Sequence, residues 1–138
     1  MKILAVDYGT KRVGMAISDP AEKLTLALPL YEWQADGNDA ARIAGLAEEQ
    51  GAEEIVVGLP INMDDTVGPS ARAVLDFVEE LKIFTHVPVA TWDERLSSQE
   101  AEEKLRGLEI SRKKRREHVN TVAAQVILEK YLESRKKL

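Results

Sequence analysis

Three places in the sequence gather residue types that can work on a phosphate ester. Asp7 follows the apolar run Ile3 to Val6 and leads into Tyr8-Gly9-Thr10-Lys11-Arg12. Asn62, Asp64 and Asp65 follow the apolar run Ile55 to Leu59. Asp93 and Glu94 follow Val87 to Trp92, with Arg95 next. Ligands of open α/β sheets sit beyond the carboxyl ends of the strands, where these groups fall. Carboxylates gathered there repel one another, and a hard divalent cation, Mg2+ or Mn2+, relieves that repulsion. Two such ions about 4 Å apart can align an attacking water and stabilise a leaving oxygen in phosphodiester cleavage. Each group also has a plainer use. Asp7 can cap a hairpin turn, Asp93-Glu94-Arg95 can form an internal ion pair, and Asp64 and Asp65 suit a solvated turn.

The elements that must position these groups read as β-β-β-α-β-α-β-α-α. Lys2 to Val6 and Val13 to Ser18 are short apolar runs joined around Gly9 and Lys11-Arg12, which predicts a hairpin. Leu24 to Tyr31 predicts a third strand, and Pro29 favours an edge position for it. Asp39 to Gln50 carries Ala40, Ile43, Ala44 and Ala47 at helical spacing, with Gly51 as the stop. Glu54 to Leu59 predicts a buried strand. Pro69 is placed to open a helix whose apolar face is Ala71, Val74, Leu75, Val78 and Leu81. Val87 to Trp92 predicts the fifth strand. Ser97 and Glu100 form a capping box for a short helix to about Leu105. Gly107 to Glu117 reads as a basic connector, and Val119, Val122, Ala123, Val126, Ile127 and Tyr131 as the face of a final helix. Hairpin strands followed by βαβ alternation predict an α/β fold: a mixed five-stranded sheet, three antiparallel strands and then two parallel, flanked by helices. A length of 138 residues without repeats or linkers predicts one domain over 1–138.

Composition removes several classes of function. There is no cysteine, hence no disulfide, thiolate metal site or cysteine nucleophile. Two histidines, His86 and His118, cannot build a histidine-rich metal cage. Aromatics are 5%, too few for recognition by rows of stacking rings. No span reaches the roughly 20 apolar residues of a membrane helix. The first apolar run stops at Asp7 without a small-residue cleavage site, which argues against a signal peptide. A cytoplasmic protein without a membrane partner is expected. The net charge of −5 conceals an asymmetry. Residues 1–103 hold 8 Lys/Arg against 20 Asp/Glu, a net of −12, and residues 104–138 hold 11 against 4, a net of +7. A basic end on an acidic body suits a polyanionic partner, although a solvated helical end would give the same pattern.

At this point the residues resemble a known family. The run Asp7-Tyr8-Gly9-Thr10-Lys11-Arg12-Val13-Gly14-Met15-Ala16-Ile17-Ser18-Asp19 resembles the opening signature of the YqgF family. So do Val57-Gly58-Leu59-Pro60-Ile61-Asn62-Met63-Asp64, then Asp93-Glu94-Arg95-Leu96-Ser97, then Ala123-Ala124-Gln125-Val126-Ile127-Leu128-Glu129-Lys130-Tyr131-Leu132. The matches keep the family's order and span nearly the whole chain. The resemblance implies a ribonuclease H-like fold and a bacterial, cytoplasmic nuclease. It implies processing of the 5′ end of pre-16S ribosomal RNA, or resolution of Holliday junctions, with structured RNA, branched DNA or a ribosomal precursor particle as partner. By the same resemblance Asp7 is the first metal-binding carboxylate, and Glu94, with or without Asp93, is the second.

The family's third acid, an aspartate near the start of the last helix, is here replaced: the position reads Val119-Asn120-Thr121. Asn120 offers a carbonyl oxygen to a metal but no charge, and asparagine also serves well as a helix N-cap. Glu117 lies about one helical turn earlier and could assist. Arg112-Lys113-Lys114-Arg115-Arg116, just before that site, would contact phosphates without reading sequence, with Lys11 and Arg12 gripping from the other side. A metal-dependent nuclease is the reading these features favour, with a two-metal Mg2+ or Mn2+ site. A non-catalytic nucleic-acid-binding module is the alternative that Asn120 raises. Asp7-Tyr8-Gly9-Thr10 also resembles the first phosphate-binding hairpin of actin-like ATPases and sugar kinases, which need two such domains. A symmetric four-way junction would suit a homodimer, although no dimer surface is readable in the chain.

Overall fold

Short apolar runs make strands that can be covered on both faces, and three of them, Ile3 to Val6, Val13 to Ile17 and Ile55 to Leu59, meet at the centre of the sheet. The computed structural model describes residues 1–61, 64–93 and, as helix, 112–136, with side chains described except at 112–121 and 136. Its elements are β1 (Ile3–Tyr8), β2 (Arg12–Ser18), β3 (Thr25–Glu32), α1 (Asp39–Glu49), β4 (Glu54–Leu59), α2 (Pro69–Phe84), β5 (Val89–Asp93) and α3 (Arg112–Lys136). The capping box at Ser97 and Glu100, and the short helix expected to about Leu105, lie outside the described residues.

The sheet order is β3-β2-β1-β4-β5. β1 pairs antiparallel with β2 and parallel with β4, β2 pairs antiparallel with β3, and β4 pairs parallel with β5. This is the expected mixed sheet, a ribonuclease H-like arrangement. β3 lies at the edge, the position Pro29 favours. Between Val13 and Met15 the β3 partners step from Tyr31 to Leu28, so β3 carries one extra residue around Pro29 and Leu30. A bulge at an edge strand is where a residue without a backbone N–H can be placed.

The two faces of the sheet are covered by different helices. Leu4, Val6, Val13, Met15, Ile55 and Val57 pack under α1 and α2, against Ile43, Ala44, Ala47, Val74, Phe77, Val78 and Leu81. Ile3, Ala5, Ala16 and Val56 pack under α3, against Ala124, Ile127, Leu128 and Leu132. The buried residues of α1 are the four that its spacing predicts. In α2 the buried set differs by one: Phe77 is buried and Leu75 is half-exposed. Both positions flank the same stripe, and the ring of Phe77 reaches Tyr8 and Trp33, at centroid distances of 5.2 and 5.7 Å.

Of the boundaries that move relative to expectation, two bear on the site. β1 runs on through Asp7 to Tyr8, paired with Gly14 and Val13, so Asp7 is a strand residue and not a turn cap. The basic run Arg112 to Arg116 is part of α3 and not a connector. Lys and Arg are good helix formers, and no glycine or proline follows Gly107 to break the helix. Position 120 is therefore inside the helix, which removes the N-cap role for Asn120. Among the described residues no helix is long and apolar enough to cross a membrane.

Candidate functional site

Asp7 is 7% exposed. It belongs to the β1 face of Ile3 and Ala5, the face under α3, because strand side chains alternate. Its neighbours across the sheet have no side chains. Gly14 is its partner on β2, and Gly58 lies beside it on β4, one step past the Val6–Val57 pair. A carboxylate flanked by two strand glycines is open to a close approach by an ion or a phosphate.

α3 covers this face through Ala124, Ile127, Leu128 and Leu132. Near the helix's C-terminal end, the Tyr131 hydroxyl donates to Glu54, the first residue of β4 and the register partner of Ile3. Arg135 Nη1 also pairs with Glu22, at 2.7 Å, and approaches Glu54 to 3.9 Å. Tyr131 also packs its ring edge-on to Trp92 of β5, with centroids 5.9 Å apart.

The other expected residues distribute as follows. Asp93 ends β5 opposite Leu59, which packs on the α1/α2 side. By alternation Asp93 shares that side, so the sheet separates it from Asp7, which also lies two strands away. Glu94, Arg95 and Asn62 lie outside the described residues. Lys11 is exposed in the β1–β2 turn, and Arg12 opens β2 opposite Glu32. Arg112, Lys113, Lys114, Arg115 and Arg116 form the first turns of α3. Asp64 is occupied locally: its carboxylate accepts from the Thr66 hydroxyl at 2.5 Å and the Thr66 N–H at 3.1 Å, which lowers its pKa. That is the turn role. Among the described residues no group of three or more His, Asp or Glu is arranged to hold a metal. Two members of the expected set, Glu94 and the Asn120 side chain, are not among them.

The oxygen donors expected here, two carboxylates and an amide carbonyl, are of the hard type that Mg2+ and Mn2+ take. Asp7 fits such an ion by its burial and its glycine neighbours.

One group of residues escaped the sequence reading. Tyr8, Trp33 and Phe77 close into an aromatic cluster on the α1/α2 side, with Tyr8 and Trp33 centroids 5.0 Å apart. The signal available was faint: four of the chain's seven aromatics (Tyr8, Tyr31, Trp33 and Phe77) meet here, from segments distant in sequence.

Comparison with known proteins bears on the family and the fold. Residues 1–134 match the family model described as "RuvX: Holliday junction resolvase". The chain is 41% identical over 138 residues to a protein of Halothermothrix orenii named "Putative pre-16S rRNA nuclease", covering 100% of this chain and 99% of that one. It is 40% identical over 134 residues to a protein of the same name from Desulforamulus reducens, covering 97% and 98%. Among solved structures it is similar to Thermus thermophilus RuvC bound to a Holliday junction, with TM-score 0.64, 16% identity, and 99% and 96% of the two chains covered. The fowlpox virus Holliday junction resolvase superposes with TM-score 0.59 and 14% identity, over 97% and 99%. At such identities the two structures speak for the fold. The family model spans nearly the whole chain, and with the two bacterial relatives it shows that this chain belongs to the RuvX family, the YqgF family of the sequence motifs.

Proposed function

We propose that residues 1–138 act as one nuclease domain that hydrolyses phosphodiester bonds in the 5′ processing of pre-16S ribosomal RNA, with a divalent metal ion. The observation that carries this reading is Asp7: a buried carboxylate, between two glycines, beneath α3. Asp7, Glu94 and Asn120 are the residues that would hold the ion. When bound, the ion supplies positive charge for the attacking water and the leaving oxygen. Asp7 contributes a fixed negative charge on a rigid strand. Asn120 contributes an oxygen without charge, so the set holds an ion less strongly than three acids would. Lys11 and Arg12 on one side, and the basic first turns of α3 on the other, would grip phosphates and hold the scissile strand across the end of β1. This grip is electrostatic and weakens with salt. The names of the bacterial relatives support ribosomal RNA as the substrate.

The test is an assay of the purified full chain on a pre-16S fragment and on a four-way DNA junction, with Mg2+ or Mn2+, beside Asp7→Ala. Cleavage of the RNA that Asp7→Ala lacks is the expected result. Cleavage of the junction alone would make the protein a resolvase. Salt-dependent binding with no cleavage of either would make it a binding module.

A further inference from the structure

On the sheet face opposite Asp7, a cleft of about 520 Å³ opens between the end of β1, the segment before α1, and α2. Its floor is Tyr8, Trp33 and Phe77, and its rim carries Asp39, Asp76 and Glu80. None of the residues lining it is basic. Asp76 and Glu80 stand one turn apart on the exposed side of α2, and among the described residues neither forms a salt bridge. The three carboxylates line the same cleft as the Tyr8, Trp33 and Phe77 rings, so the aromatic floor lies in a negative field.

The cleft is built and held. Trp33 donates its indole N–H to the Gly9 carbonyl oxygen at 2.7 Å, which fixes the ring against the β1–β2 turn. The Asp39 carboxylate accepts from the Gln34 and Ala35 N–H groups, at 2.9 and 3.1 Å, and from the Tyr31 hydroxyl, at 2.5 Å. The segment that forms the far wall is thereby fixed before any ligand arrives.

We propose that this cleft docks an arginine side chain from a basic segment of a partner protein. The occupant follows from charge and shape together. Phosphates are repelled by three carboxylates, so nucleic acid does not enter. An apolar side chain would cover the rings but strand Asp76 and Glu80 without a partner. A guanidinium lies flat on an aromatic face and forks its N–H groups to carboxylates, and it does both better than an ammonium. Asp76 and Glu80 are placed to receive the fork, with Tyr8 and Trp33 beneath it. A partner seated there leaves the Asp7 face free, because β1 lies between the two. The inference does not rest on the nuclease reading, and its test does not use catalysis.

The test is titration of the full 15N-labelled chain with the peptide acetyl-Gly-Gly-Arg-Arg-Gly-Gly-amide, and with the same peptide carrying Gln in place of Arg. The readout is the Trp33 indole N–H resonance, assigned against Trp92→Phe. The Arg peptide is expected to shift this resonance saturably, the Gln peptide is not, and the double variant Asp76→Asn/Glu80→Gln is expected to bind the Arg peptide about tenfold more weakly. Both substitutions lie on the exposed side of α2 and leave the core intact. Equal binding of the Gln peptide, unchanged affinity in the double variant, or an equal Trp33 shift on adding a pre-16S RNA fragment would each overturn the proposal.

Discussion

Asp7 and Tyr8 are consecutive in β1, and the sheet stands between their side chains. Asp7 faces α3, with Ile3 and Ala5 before it, and Tyr8 packs among Trp33 and Phe77 on the α1/α2 side. One strand thus supplies the carboxylate of one site and the floor of another. Substitutions at the two positions should separate cleanly. Asp7→Asn keeps the shape of the side chain and removes its charge. Losing a group that merely orients a metal ligand costs about 10–100-fold, so losing a direct ligand should lower metal-dependent cleavage at least about a hundredfold. The variant is expected to retain cooperative unfolding and its salt-dependent binding of RNA. Single-turnover cleavage and filter binding check this, and cleavage at the wild-type rate would remove Asp7 from the chemistry.

Position 120 lies inside α3, the helix whose later turns cover the sheet face of Ile3, Ala5 and Asp7. Asn120→Asp would restore a third negative charge to the expected set. Metal-dependent cleavage is expected to rise about tenfold, with a lower Mg2+ concentration at half-maximal rate. A rate and metal dependence unchanged in Asn120→Asp would show that charge at this position does not limit the reaction.

What the sequence made legible follows from how local each feature is. The strands and α1 carry their own signal: short apolar runs such as Ile3 to Val6 and Ile55 to Val57, and Ala40, Ile43, Ala44 and Ala47 at helical spacing. Pro29 marked the edge strand because a missing N–H has few places in a sheet. The start of α3 was hidden because charge and helix propensity are separate properties: Arg112 to Arg116 looked like a linker by polarity and is helical by propensity. Asp7 was visible as a carboxylate after an apolar run. That Asp93 takes the other face was not, since it depends on the β4–β5 register pairing Leu59 with Asp93. The aromatic cleft is the least local feature, made from positions 8, 33 and 77, and only the topology brings them together.

Asp39 ties the segment before α1 to the end of β3, and its pKa is lowered. Burial acts against that shift but is outweighed by the Tyr31 hydroxyl and the Gln34 and Ala35 N–H groups. A carboxyl depressed in the folded state adds stability above its unfolded pKa and loses it as pH falls through the folded value. The neighbouring Asp36, held at about 2 by hydrogen bonds from Arg42, follows the same sign. Stability should therefore decline from about pH 4 downward. Asp39→Asn should flatten that decline and cost about 1–2 kcal/mol at pH 7. Urea unfolding from pH 2 to 7 measures both, and parallel curves for the two proteins would refute the assignment.

At the opposite end of the sheet the expected pH dependence is alkaline. Tyr131 donates its hydroxyl to Glu54, and its pKa is pushed up to about 12, first by burial and then by that hydrogen bond. The sign is opposite to that of Asp39. A phenol whose folded pKa is raised adds stability below its unfolded value near 10, and that contribution is lost as pH rises toward 12. Ionisation would set a phenolate against the Glu54 carboxylate beneath α3. Tyr131→Phe should lower stability at pH 7 by about 1–2 kcal/mol, since the half-buried Glu54 loses a donor. Arg135 stays beside Glu54, at 3.9 Å, which limits the loss. The variant should also unfold less steeply with pH between about 10 and 12. Thermal unfolding followed by circular dichroism across that range distinguishes the two effects. A Tyr131→Phe protein as stable as the wild type at pH 7, with the same alkaline decline, would show that this hydrogen bond does not anchor α3 to the sheet.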